Sequence, residues 1–173
     1  ATTSSLHLGK VIDVKQLGIL NSKISVNGSL GSGGIIADIN AEVDDIGIGR
    51  ERFHAVTASA NINGERYSLE VDSPNKDLNF HFSGTTNQGA YVPSYEFDIN
   101  LRNADLFALG INKRDSISQL AMNLDCNVMG HSIDDIDGTM NLTDVVYKYP
   151  AKTLMTKHLG VAIHGDTHKK LTI

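Results

Sequence analysis

From Leu120 to Val128 this chain places an apolar side chain at every second position, and the same period of two recurs along most of its length. Leu120, Met122, Leu124, Cys126 and Val128 are apolar, while Ala121, Asn123, Asp125 and Asn127 between them are small or polar. An extended strand sorts such a pattern onto two faces, one apolar and one wettable, whereas a helix would scatter it around its circumference.

Other runs read the same way. Ile24, Val26, Gly28 and Leu30 alternate with Ser25, Asn27 and Ser29, and beyond Gly31-Ser-Gly-Gly34 the residues Ala37, Ile39, Ala41 and Val43 alternate with acids and amides. Two such runs around a glycine-rich turn predict a hairpin. A phosphate cradle would need a helix N-terminus behind those glycines, and a strand pattern follows instead. Phe53 to Ile62 forms one run, Asn63-Gly64 favours a tight hairpin turn, and Tyr67, Leu69 and Val71 continue. Leu78, Phe80 and Phe82 follow Ser73-Pro74-Asn75, a loop is expected at Gly84 to Gln88, and Pro93 opens a strand with Tyr95, Phe97, Ile99 and Leu101. Met140 and Leu142 precede Val145-Val146-Tyr147, and Leu159, Val161 and Ile163 precede a turn at 164–168, after which Leu171 and Ile173 resume. Leu6, Leu8, Val11, Ile12 and Val14 predict a first strand with a bulge at Gly9. Only Asn103 to Asn112 loses the alternation, so any helix is expected to be short and to lie within Ala104 to Ser118. The expected fold is all-β over one segment, residues 1–173, with no strict repeat period. The apolar faces either meet in a closed β-sandwich or line an open, curved half-pipe.

A net charge of -5 argues against a nucleic-acid backbone as partner. The single cysteine, Cys126, sits on the apolar side of its run and reads as a small buried hydrophobe rather than a nucleophile. No apolar run approaches the ~20 residues of a membrane-spanning helix, and the chain does not open like a signal peptide. A finish on Leu171-Thr172-Ile173, within the apolar pattern, is expected of a fragment of a longer chain.

Candidate chemistry is thin. Asp134-Asp135-Ile136-Asp137-Gly138 resembles a calcium loop, but aligning Gly138 with the obligatory glycine places Ile133 at the first ligand position. An acidic turn is the better reading. His164 and His168 flank a turn without third and fourth ligands nearby. No Gly-x-Ser-x-Gly elbow occurs, and the acceptor patterns at Asn27 and Asn141 are what chance supplies. No catalytic residue, metal ligand or cofactor site is assigned.

Three segments carry a family resemblance: DINLRNADLFALGI (Asp98 to Ile111), ISQLAMNLDCNVMGHSIDDIDGTMNLTDVVY (Ile117 to Tyr147) and KTLMTKHLGVAIHGDTHKKLTI (Lys152 to Ile173). With them the chain from Pro93 onward resembles the TamB family of AsmA-like envelope proteins, in particular its Bacteroidetes-type members. The resemblance implies a section of a periplasmic β-structure, anchored in the inner membrane through a helix absent from this sequence, whose half-pipe carries phospholipid acyl chains toward the outer membrane. It also implies a role in outer-membrane assembly, with an outer-membrane assembly protein engaged through other regions. Alternation selects the groove wall: Leu78, Phe80, Phe82, Tyr95, Phe97, Ile99, Leu120, Met122, Leu124, Val128, Met140 and Leu142. The competing reading is an all-β binding or adhesion module with a closed core. The absence of tryptophan weighs against a carbohydrate platform.

Replacing His164 and His168 together by Ala is expected to leave stability within ~0.5 kcal/mol in a denaturant melt, as at ordinary surface sites. A stoichiometric metal that disappears with the double change would overturn that reading.

Overall fold

The computed structural model describes residues 2–7, 17–48, 51–132 and 134–165. They form β1 (Thr2–His7), β2 (Leu17–Gly31), β3 (Gly34–Ile48), β4 (Glu51–Phe53), β5 (Val56–Asn63), β6 (Arg66–Pro74), β7 (Leu78–Asn87), β8 (Ser94–Asp105), β9 (Gln119–Met129), β10 (Asp137–Tyr149) and β11 (Lys152–Ile163). All pair antiparallel in one sheet ordered β1-β2-β3-β5-β6-β7-β8-β9-β10-β11, with the short β4 beside β3. Strands adjacent in sequence are therefore adjacent in space, the arrangement that short turns favour. At ~4.8 Å per strand the ten-strand path extends about 43 Å. Its edge strands, β1 and β11, do not pair with each other, so the sheet is open. The closed-sandwich alternative is thereby corrected: no second sheet faces this one among the described residues.

Cross-strand register decides which side chains share a face, since directly opposed residues point the same way. One row runs Val26, Ile39, Ala60, Leu69, Gly84, Phe97, Cys126, Met140, Val161. The neighbouring row runs Ser25, Asn40, Ser59, Glu70, Ser83, Asp98, Asp125, Asn141, Gly160 on the other face. One face is apolar across nine strands and the other is polar. Side-chain bonds tie neighbouring strands on the polar face, among them Asn61 Nδ2 to Asp38 Oδ1 (2.8 Å), Arg102 Nη1 to Asn79 Oδ1 (3.0 Å) and Asn141 Nδ2 to Asp125 Oδ1 (3.2 Å).

One expectation needs correction, and one segment left open is settled. The run from Phe53 to Ile62 is not one strand, because the chain turns at His54-Ala55, where Ala55 is left-handed with φ 54°. Asn75, in the β6–β7 turn, holds this corner: its side chain accepts from the His54 N–H and donates to the His54 carbonyl, both at 2.9 Å. The segment between β8 and β9 forms no helix. It makes a single turn capped at both ends, with Asp105 Oδ1 accepting from the N–H groups of Phe107 and Ala108 at 3.0 Å. At its far end Ile111 N–H reaches the Leu106 carbonyl and Gly110 N–H the Phe107 carbonyl, with Gly110 at φ 74°. That paired closure stops the turn from propagating. Of the first predicted strand, Leu6 falls in β1, whereas Leu8, Gly9, Val11, Ile12 and Val14 lie outside the described residues, as do His168, Leu171 and Ile173.

At the start of β10, Gly138 has φ 154° and lies against β9, so an added Cβ would meet Val128 Cα at 2.6 Å and the Asn127 carbonyl oxygen. Gly138→Ala is expected to destabilise the sheet by about 2 kcal/mol in urea unfolding. A loss under ~0.5 kcal/mol would mean that β9 and β10 separate easily there.

Candidate functional site

Among the described residues, nothing covers the apolar face. Only Ala37, Phe53, Ala104, Cys126 and Val128 are buried hydrophobics among the described residues, too few to be the core of a two-layer domain. Register places all twelve predicted wall residues on this face. Tyr95 opposes Val128, Phe82 opposes Ile99 and then Leu124 and Leu142, Phe80 opposes Leu101 and then Met122, and Leu78 opposes Ala104 and then Leu120. Phe97 and Met140 flank Cys126 in the row already described.

Part of the face forms a concave groove of about 580 Å³ running across β5 to β9. Phe82, Tyr95, Phe97 and Val128 line it, and the other eight predicted residues lie on the same face outside it. Ala60, Ile62, Tyr67, Leu69, Gly84, Thr86 and Ile136 line it too, together with the polar Asn61, Ser68, Thr85 and Glu96. Alternation had already placed Ala60, Ile62, Tyr67 and Leu69 on the apolar side of their strands, whereas Gly84 and Thr86 fall in the stretch expected to be a loop, which instead continues β7 to Asn87. Thr86 is polar, and Ile136 comes from the β9–β10 loop, so neither carried a periodic signal.

Gly84 shapes the groove. It stands between Leu69 and Phe97 in the cross-strand row, and a Cβ there would meet the Phe82 ring at 2.8 Å. The ring of Phe82 leans over the glycine and stacks on Phe97, with centroids 6.4 Å apart at 28°. The missing side chain thus becomes a shelf for an aromatic ring. Beside it, burial pushes the Cys126 thiol pKa up, with the Asp125 charge adding to the shift, so the sulfur stays protonated and packs as a hydrophobe.

Ile136 is positioned by the acidic turn. Asp135 Oδ1 accepts from Ser132 N–H at 2.5 Å and from Ser132 Oγ at 3.0 Å, and Oδ2 accepts from His131 N–H at 3.1 Å. The loop docks on the β7–β8 connection through Gly130 N–H to the Pro93 carbonyl (3.0 Å) and a His131 Nε2 contact with the Tyr91 carbonyl (3.1 Å). The carboxylate that invited a calcium reading serves as an internal cap. His164 Nδ1 lies 3.3 Å from Asp137. No group of three or more His, Cys, Asp or Glu among the described residues could hold a metal ion. No helix in the described residues is long and apolar enough to cross a membrane.

Comparison of the chain with protein-family models, curated proteins and solved structures finds no match.

The backbone N–H bonds from Ser132 and then His131 hold the Asp135 pKa at about 2. A carboxylate whose folded pKa is depressed lends its stabilisation in full above the unfolded value of ~3.9 and loses it as pH falls through the folded one. Amide exchange at His131 and Ser132 is therefore expected to stay protected down to about pH 4 and to lose protection, relative to distant strand amides, toward pH 2. Asp135→Asn should show weaker protection at neutral pH. Unchanged protection in that variant would remove Asp135 from the role of cap.

Proposed function

We propose that the open apolar face is a section of a lipid-conducting groove that holds phospholipid acyl chains, within a periplasmic protein working between the inner and outer membranes. The observation that carries this reading is the continuous apolar face of one uncovered sheet, set back to back with a polar face. A soluble protein rarely leaves so much apolar surface in water unless something occupies it. Acyl chains suit a wall of Phe82, Phe97, Leu69 and Val128, which offers hydrocarbon contact and few directional hydrogen bonds. Tyr95 adds one polar point, its hydroxyl accepting from Gln88 Nε2 at 3.3 Å. The resemblance to the TamB family supports the same assignment, including a role in outer-membrane assembly. The reading assigns the chain no catalytic step and no cofactor. A closed-core binding or adhesion module is disfavoured because the apolar faces of the strands belong to one uncovered sheet and do not pack against each other.

The test pairs stability with lipid contact. A photoreactive residue at Leu69 or Leu124 is expected to crosslink phospholipid in cell extracts, and Phe97→Asp should abolish the adduct. Because the face is open, Leu124→Arg can turn its charged tip to water, and its cost is expected to stay below about 2 kcal/mol in thermal unfolding. An unfolded variant together with no adduct in the parent chain would eliminate the groove.

A further inference from the structure

Strand connections form two lips along the apolar face, and their chemistry differs. The lip carrying Ile136 is acidic: its connections 63–66, 87–94 and 129–138 hold Glu65, Asp134, Asp135 and Asp137 against the single cation Arg66. On the opposite lip the connections 74–78, 105–119 and 149–152, taken with Lys148 near the end of β10, hold Lys76, Lys113, Arg114, Lys148 and Lys152 against Asp77, Asp105 and Asp115. Within a chain of net charge -5, the part of this lip from β6 to β11 is thus locally basic, while the β3–β5 corner beside it carries Asp44 and Asp45 against Arg52. Its parts adjoin, since Asp105 N–H bonds to the Asp77 carbonyl at 2.8 Å and Lys148 pairs with Gln119.

The β8–β9 loop on this lip satisfies its own polar groups. Beyond the capped turn at 105–111, Asn112 Nδ2 donates to Ser118 Oγ at 3.0 Å, and that hydroxyl meets the Tyr147 hydroxyl at 3.0 Å, with Ser118 fully buried. Leu106 N–H bonds to the Ser118 carbonyl at 2.7 Å, closing the loop at its base. Three of the side chains it exposes are apolar: Phe107 is 41%, Ile111 70% and Ile117 51% exposed. Lys113 and Arg114 stand between Ile111 and Ile117, also exposed.

We propose that this loop is a docking tip for an anionic lipid surface: Phe107 and Ile111 enter the interface while Lys113, Arg114 and the neighbouring lysines meet the headgroups. Apolar side chains flanked by cations are what interfacial binding requires, and basic residues gain from the negative potential of an acidic leaflet. An acidic protein would reward the cations but not three exposed apolar side chains on a loop whose backbone is already closed. The inference stands apart from the groove, which lies on other residues.

The whole chain is mixed with vesicles of phosphatidylcholine alone or with added phosphatidylglycerol, and bound protein is measured by flotation. Binding is expected with the anionic vesicles and should weaken as salt rises. Lys113→Glu with Arg114→Glu should lower it about tenfold or more, and Phe107→Ser with Ile111→Ser should lower it comparably, with far-UV circular dichroism unchanged in both. An environment-sensitive dye at Ile111→Cys should shift to the blue on anionic vesicles. Failure to float, or flotation indifferent to both double changes, overturns the proposal. Flotation lost with the charges but indifferent to Phe107 and Ile111 also overturns it, marking a plain electrostatic surface for acidic macromolecules. Flotation that depends on Leu124 and not on the loop overturns it while leaving the acyl groove intact.

Discussion

Everything in this molecule depends on keeping one phase of alternation across a ladder of antiparallel strands. Because the side-chain period is two, a slip of one residue at any pairing would send a whole strand's apolar set to the polar face. The sequence does not keep perfect time, and bulges restore it. Leu101 and Ala104 are three residues apart, yet they oppose Met122 and Leu120 on the same face because β8 carries an extra residue between them. Leu142 and Tyr147 are five apart and both stay on the apolar face across a bulge that contains Asp144 in the left-handed region, φ 50°. An extra residue locally changes the ladder and resets the direction of the side chains.

A sheet in phase but uncovered has an unusual source of stability. With no second layer among the described residues it does not bury its hydrophobic side chains fully, and most remain half-exposed. Cohesion comes from backbone pairing along long strands and from cross-strand side-chain pairs on both faces. On the polar face these are amide and carboxylate contacts, including His81 Nδ1 with Asp72 at 2.9 Å. On the apolar face they are contacts such as Phe82 on Phe97. The apolar surface left over is what a hydrocarbon ligand would withdraw from water, so the same feature that limits stability gives the face something to bind.

The connections then make the two lips unlike each other. One bears Ile136 on a turn organised by the Asp135 carboxylate, and the other bears an apolar tip among lysines. A lipid surface against the basic lip would bring a source of acyl chains alongside an apolar wall, while the acidic lip faced away. Docking and groove would then form one path, although each rests on its own residues.

Alternation by itself determined that the chain is all-β, that nearly every strand has an apolar side, and that Cys126 packs as a hydrophobe. These are local properties, set by the two-residue repeat and by turn residues such as Asn63-Gly64. It could not separate an open sheet from a closed sandwich, because the outward and inward faces of a strand look alike until the neighbours' positions are known. That choice, together with the break at Ala55, the bulge at Asp144 and the capped turn at 105–111, was decided by tertiary structure. Ala55 turns because Asn75, twenty residues away, grips the backbone of His54. Ile136 reaches the groove because a loop folds back across strands that alternation treats separately. Contacts between distant segments leave no period in the sequence, and only the assembled sheet brings their partners together.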